Sequence, residues 1–199
     1  MAPAYRTILC KDLHRVLDVG TWNVLNLLEN RRLPHLSNEL RRVRMDMVGH
    51  SETRRQSSDK TSSKGFTNCW SGMNNGHNVK GAAIGISSRL QLPVVEDSEL
   101  IMRVSLNHNL GFMPVVAVYA PTEKCETEEK ELFYAKLDSV LDQSSCQNAL
   151  IVFNAVSGTE RAGYELCLGA HSSVTRNDII SFLLNLARSK RLIIAGSWY

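Results

Sequence analysis

Residues Arg15–Val24 read RVLDVGTWNV. Leu17 and Val19 alternate with Asp18 and Gly20, the period-two pattern of a strand with one face against a core. That strand finishes on the polar side chain of Asn23. Outward from it, apolar clusters of strand length recur between polar stretches: Met45–Gly49, Ala82–Ile86, Leu100–Leu106, Pro114–Tyr119 (PVVAVY), Ala149–Phe153 (ALIVF) and Leu192–Ala195. The continuous runs fit strands buried on both faces, although so short a run fits a buried helix too.

Three segments carry helical spacing. Leu36, Leu40, Val43 and Met47 recur at intervals of three and four. Glu126–Gln143 opens on an acidic run suited to the positive end of a helix, then sets Phe133, Leu137, Val140 and Leu141 on one face. Asp178–Arg191 follows Thr175 in a Thr-x-x-Asp start resembling a capping box and closes on Arg188, Lys190 and Arg191. Between these elements, Ser57–Lys64 reads as a polar, mobile loop. Gly72–Gly81 (GMNNGHNVKG) reads as a turn or hairpin, and no Gly-Lys-Ser/Thr follows its glycines to make a phosphate-binding P-loop. Strands alternating with helices predict an α/β or α+β layered fold, β-rich with helices outside.

Composition narrows the class. The 199 residues are 43% hydrophobic and 22% charged, which excludes a disordered chain and a coiled coil and suffices for one sizeable core. No apolar run approaches the roughly 20 residues of a membrane-spanning helix, so no membrane is expected among its partners. Met1–Arg15 is charged throughout, so no secretory leader is expected. The five cysteines, Cys10, Cys69, Cys125, Cys146 and Cys167, are scattered and odd in number, which favours free thiols in a reducing, intracellular compartment, nuclear or cytoplasmic. Residues 1–64 hold 12 Lys/Arg against 7 Asp/Glu, and the remainder 11 against 13. The positive half suits phosphates, or equally a solvated surface.

Four strand ends carry polar groups: Asn23, Glu52 after the second strand, Tyr119 at the end of PVVAVY, and Asn154 after ALIVF. Taken singly, each has an ordinary reading. Asparagine forms turns, an isolated glutamate is usually a surface charge, and a tyrosine half-buries its ring. Taken together they make an oxygen-rich set at strand ends, where sites are built. Such a set suits a hard cation such as Mg²⁺, which takes one or two carboxylates and keeps several waters, and Mg²⁺ in turn suits phosphate chemistry.

The motifs GTWNV (20–24), SETR (51–54), KGAAI (80–84), VYAPT (118–122) and FNAVSGTERAGYEL (153–166), with RNDIISFLLNLARSKRLIIAGSW (176–198), occur in an order that resembles the endonuclease/exonuclease/phosphatase family. Within it, the endonuclease domains of non-LTR retrotransposons are similar. The resemblance implies a DNase I-like fold, a two-sheet sandwich flanked by helices, over residues 15–199, with 1–14 as an N-terminal segment. It also implies Mg²⁺-dependent hydrolysis of a phosphodiester, with DNA or another nucleic acid as substrate. In that family Glu52 would be the metal carboxylate and Asn23 would sit beside it in the metal network. Tyr119 would hydrogen-bond the phosphate and Asn154 would stabilise it as it reacts.

The departures bear on activity. The family's Gly-Asp-Phe-Asn motif corresponds to Ile151-Val152-Phe153-Asn154, and valine cannot take or orient a proton. Arginine is common where Leu100 stands. The later Ser-Asp-His motif would lie beyond Tyr199, and none of the six histidines stands in it; each reads as a surface or satisfied histidine. The expectation is a C-terminally incomplete, retrotransposon-derived domain with impaired or no catalysis, marginal stability and an exposed sheet edge open to a protein partner or to self-association. An active nuclease, and a non-catalytic nucleic-acid-binding or protein-interaction module, are the alternatives.

Overall fold

The alternation in RVLDVGTWNV becomes a strand whose two faces meet two different layers. The computed structural model describes residues 4–10, 15–27, 29–72, 81–90, 94–98, 100–108, 111–143, 150–153, 161–170 and 178–194. In chain order its elements are β1 (Ala4–Cys10), β2 (Arg15–Asn23), α1 (Arg32–Arg42), β3 (Met47–Ser51), β4 (Asp59–Ser63), β5 (Phe66–Ser71), β6 (Ala82–Ser87), β7 (Val94–Ser98), β8 (Ile101–His108), β9 (Gly111–Val118), α2 (Thr127–Asp142), β10 (Leu150–Phe153) and α3 (Asp178–Ser189). They divide into two compact units.

The first unit holds residues 1–119 and 145–154. One sheet has the order β1-β2-β3-β6-β5-β4 and the other β10-β9-β8-β7. Pairing is antiparallel except at β2–β3 and β9–β10, and each parallel pair is connected in sequence through a helix, as a parallel connection requires. Between the sheets lie Leu17 and Val19 of β2, Met47, Ile84, Ile86, Met102, Val104, Val115 and Ala117. Burying each of the larger ones contributes on the order of 2 kcal/mol. The opposite face of the six-stranded sheet receives Leu33, Leu36 and Leu40 of α1, packed on Val48 and Phe66 with Trp22 and Val24 beside them.

Residue size in β6 explains how α1 comes so close. Ile84 and Ile86 face the second sheet, while the alternate position, Gly85, carries no side chain. A Cβ at Gly85 would lie 2.9 Å from both Asn68 Oδ1 and His50 Nε2 and 3.6 Å from Leu40 Cδ1.

The second unit, residues 120–144 and 155–199, packs α2 against α3. The Tyr134 ring stacks on Phe182 at 5.3 Å between centroids and its hydroxyl donates to the Ile179 carbonyl at 3.3 Å. Burial of that phenol pushes its pKa up. Tyr164, Cys167 and Leu168 close a small core with Ile180, Leu184 and Ala187.

Several expectations are corrected. Ser57–Lys64 is not a mobile loop: Asp59–Ser63 is an edge strand paired with β5, and its polar, exposed side chains hid the ladder. The helix expected through Met47 ends at Arg42, because Arg44 turns into the left-handed region (φ +56°) and Met47 begins β3. Of the expected strand Leu192–Ala195, the described residues 192–194 form an isolated bridge, Leu168 to Ile194, and Ala195 lies outside the described residues. Residues Ala4–Cys10, set apart from the sheet in the sequence reading, pair with β2 along its length. β5 and β7 were not anticipated either. Residues 73–80 of the Gly/Asn-rich turn and the Thr175 cap lie outside the described residues. Cys69, Cys125 and Cys167 are free thiols. Among the described residues, no helix is long and apolar enough to cross a membrane.

His50 departs from the satisfied-histidine reading most sharply. It is 2% exposed, and neither ring nitrogen has a well-formed hydrogen bond. Burial pushes its imidazole down to about 4, with neighbouring Asn68 opposing weakly.

Candidate metal and phosphate site

The parallel register of β2 and β3 sets Asn23 beside Ser51, so the next residue, Glu52, follows at the same end of the sheet. Two neighbouring strand ends thereby deliver an amide and a carboxylate to one place. Asn23 Nδ2 donates to Glu52 Oε1 at 2.7 Å. The other side of the amide is fixed as well, because Asn23 Oδ1 accepts the Leu25 N–H at 3.0 Å. With both ends engaged, the amide holds the carboxylate in one orientation. Glu52 is half-buried, and a half-buried carboxylate with one oxygen committed retains the other for a cation or a donor.

The backbone here is strained. Leu25, Glu52 and Arg54 all have positive φ, +59°, +56° and +57°. Non-glycine residues occupy that region at a cost, and such residues cluster where structure serves a site. The chain is held there by ladder-like bonds: Val24 N–H to Ser51 O at 3.1 Å, Leu27 N–H to Thr53 O at 2.8 Å and Thr53 N–H to Gly81 O at 3.4 Å. Gly81 has no choice of residue, since its φ is +144° and a Cβ would sit 2.6 Å from Thr53 Oγ1.

The segment that follows is clamped in turn. Arg55 stacks on the Trp70 ring at 4.1 Å and donates to Asn30 Oδ1 at 2.8 Å. Gly72, directly after β5, permits a close approach to this segment, because a Cβ there would fall 1.8 Å from the Arg55 carbonyl oxygen. The neighbouring Arg54 has a buried Nε without a hydrogen-bond partner.

Of the other sequence-derived residues, Tyr119 directly follows β9. It is 7% exposed, and its N–H bonds to Leu100 O at 3.0 Å. Asn154 lies outside the described residues, one position after the end of β10. That strand lies across from β2 and β3. The structure therefore joins Asn23 and Glu52 by a direct hydrogen bond and places Tyr119 at a strand end of the second sheet. Sequence reasoning missed the Leu25 N–H that orients Asn23 and the left-handed turn at Glu52, for which the sequence carries no glycine signal.

The donor set fits a hard cation of low protein coordination. Among the described residues, no group of three or more His, Cys, Asp or Glu stands ready to hold a metal ion. A single carboxylate oxygen with a neighbouring amide suits Mg²⁺, which retains several waters, and does not suit Zn²⁺.

No protein-family model and no curated protein matches the sequence. Solved structures do match. The catalytic domain of Xenopus laevis APE2 superposes with a TM-score of 0.56 at 14% identity, covering 83% of this chain and 66% of that one. The endonuclease domain of TRAS1, a telomere-specific non-LTR retrotransposon, gives 0.55 at 11% identity, covering 86% of this chain and 69% of that one. The chain thus spans about two thirds of the length of each. Two packed sheets, parallel β2–β3 and β9–β10 pairs and these superpositions agree: the chain has the DNase I-like fold of the endonuclease/exonuclease/phosphatase proteins.

Proposed function

We propose that the chain carries a nuclease-type phosphodiester site centred on Glu52, which engages DNA or another nucleic acid together with Mg²⁺ and turns over little. The observation that carries this reading is the 2.7 Å bond from Asn23 to Glu52 at adjacent strand ends. The likeness to a catalytic domain and to an endonuclease domain supports it at the level of fold, and the free thiols favour a reducing, intracellular setting. The order of motifs favours a retrotransposon-derived origin.

In this reading Glu52 would hold the cation through the oxygen that Asn23 leaves free, and Asn23 would keep the carboxylate from rotating away. Bound Mg²⁺ would offset charge on the phosphate and polarise it. Tyr119 and Asn154 would donate to phosphate oxygens, where fixed donors count most as charge develops. The basic residues of the N-terminal half would draw the polyanion in. Position 152 limits the chemistry. Val152 stands where the family places the aspartate that handles the attacking water, and general acid–base help is worth about 10²–10⁴-fold.

The test is binding and nicking of supercoiled plasmid with Mg²⁺, with EDTA and with Glu52→Ala. The expected result is Mg²⁺-dependent DNA association that Glu52→Ala removes and that weakens steeply with salt, with nicking little above the Glu52→Ala control. Association indifferent to both Mg²⁺ and Glu52 would overturn the proposal. Association indifferent to salt as well would favour a protein-interaction module.

A further inference from the structure

The opposite end of β3 from Glu52 holds a second feature, unrelated to the site above. Where α1 ends and β3 begins, a cavity of about 250 Å³ opens, lined among others by Arg41, Arg44, Gly65, Ser87, Ser88 and Arg89. Arg89 is anchored in it. Its Nη2 donates to the carbonyls of Arg44 and Met45 at 3.0 and 3.1 Å, its Nε to Ser87 Oγ at 3.3 Å, and it pairs with buried Asp46 at 3.2 Å. Asp46 thereby offsets the charge of Arg89 and also accepts the Asp18 N–H at 3.1 Å. Arg41 and Arg44 are exposed and, among the described residues, have no ion pair or side-chain hydrogen bond, so they bring two positive charges to the lining.

A helix C-terminus ordinarily repels anions, but here two of its terminal carbonyls, Leu40 O and Arg41 O, are paired within the chain. Met45 N–H bonds to Leu40 O at 3.0 Å, Arg44 N–H to Arg41 O at 3.1 Å and Val43 N–H to Glu39 O at 3.1 Å. The first two bonds form a Schellman motif, in which the left-handed position favours glycine. Arginine holds that position at φ +56°. A cation is thus kept at the rim of the cavity against local backbone preference.

We propose that this cavity binds a phosphate-type oxyanion, supplied by a free small phosphate or by a nucleic-acid backbone. Arginine favours such groups through its planar, multiply donating guanidinium. The volume lies below the roughly 300 Å³ at which pockets for drug-sized ligands begin, so the cavity houses the phosphate group itself and leaves whatever is attached to it outside.

The Schellman geometry supplies a variant that separates binding from folding. Arg44→Gly removes one cation and relieves the left-handed residue. Inorganic phosphate is titrated at constant ionic strength, with chloride as the balancing anion, and followed by amide shifts at Gly65 and Ser88. The intact chain is expected to saturate. Arg44→Gly is expected to melt at the same or a higher temperature yet bind phosphate about tenfold or more weakly, and Arg41→Gln/Arg44→Gly more weakly still. Ser88→Asp, which sets a carboxylate into the lining, is expected to abolish binding. Short duplex DNA then separates the sources. Displacement of phosphate from Gly65 and Ser88 assigns the backbone, and no displacement assigns a free phosphate. Absence of saturation in the intact chain, or equal affinity in the double variant, overturns the proposal.

Discussion

Acidification should weaken this fold through one residue, His50. The imidazole lies under α1, 2% exposed, beside Asn68 and the Cβ-free surface of Gly85. Burial holds its folded pKa at about 4, against 6.5 in the unfolded chain. Above pH 6.5 both states carry a neutral ring, and the full stability is present. As the pH falls through 6.5 the unfolded chain gains a proton that the folded chain refuses, so stability is lost progressively until about pH 4. The gap corresponds to about 3 kcal/mol at about 1.36 kcal/mol per pH unit, a large share of the roughly 5–15 kcal/mol typical of a domain. Urea melts of the native chain and of His50→Leu at pH 7, 6, 5 and 4 measure it. Carboxylates common to both proteins cancel in the difference, which should grow by about 3 kcal/mol in favour of His50→Leu as the pH falls. Parallel profiles for the two proteins would refute the reasoning.

Gly72→Ala forces a Cβ to within 1.8 Å of the Arg55 carbonyl. It should cost about 1–3 kcal/mol in urea melts and disturb Trp70 fluorescence as the Arg55 stack shifts. Tyr134→Phe keeps the stack on Phe182 but removes the bond to Ile179 O, and should cost about 1 kcal/mol by thermal melt. Asn23→Ala frees the Glu52 carboxylate to rotate and should weaken Mg²⁺-dependent DNA association. Added to Glu52→Ala it should do no further harm, because the two residues act as one unit in a double-mutant cycle.

Legibility in the sequence followed the hydrophobic pattern. The strands β2, β6, β9 and β10 and the helices α2 and α3 were readable because their apolar runs or apolar periodicity stand out against polar flanks. β4 was not, since an edge strand such as DKTSS (59–63) makes its ladder with backbone and exposes its side chains. The end of α1 was misread because Val43 and Met47 continue the helical spacing across a turn that Arg44, not glycine, makes. At the site, the polar residues at strand ends were legible as types and positions. That Asn23 stands beside Glu52 is implied by the family resemblance and not by pattern or composition. The 2.7 Å contact of Asn23 with Glu52 depends on the parallel β2–β3 register, which composition does not encode. The left-handed backbone at Glu52 and the arginine-lined cavity at the far end of β3 both arise from tertiary packing of residues distant in sequence.

Whether Glu52 holds a cation beside Asn23 is measured most directly by titrating the chain with Mn²⁺, a paramagnetic stand-in for Mg²⁺, and following amide signals by NMR. The account predicts broadening concentrated at the amides of Asn23, Val24, Leu25, Glu52 and Thr53, reversed by excess Mg²⁺ and absent in Glu52→Gln. Broadening that spares these residues, or that persists unchanged in Glu52→Gln, would contradict it.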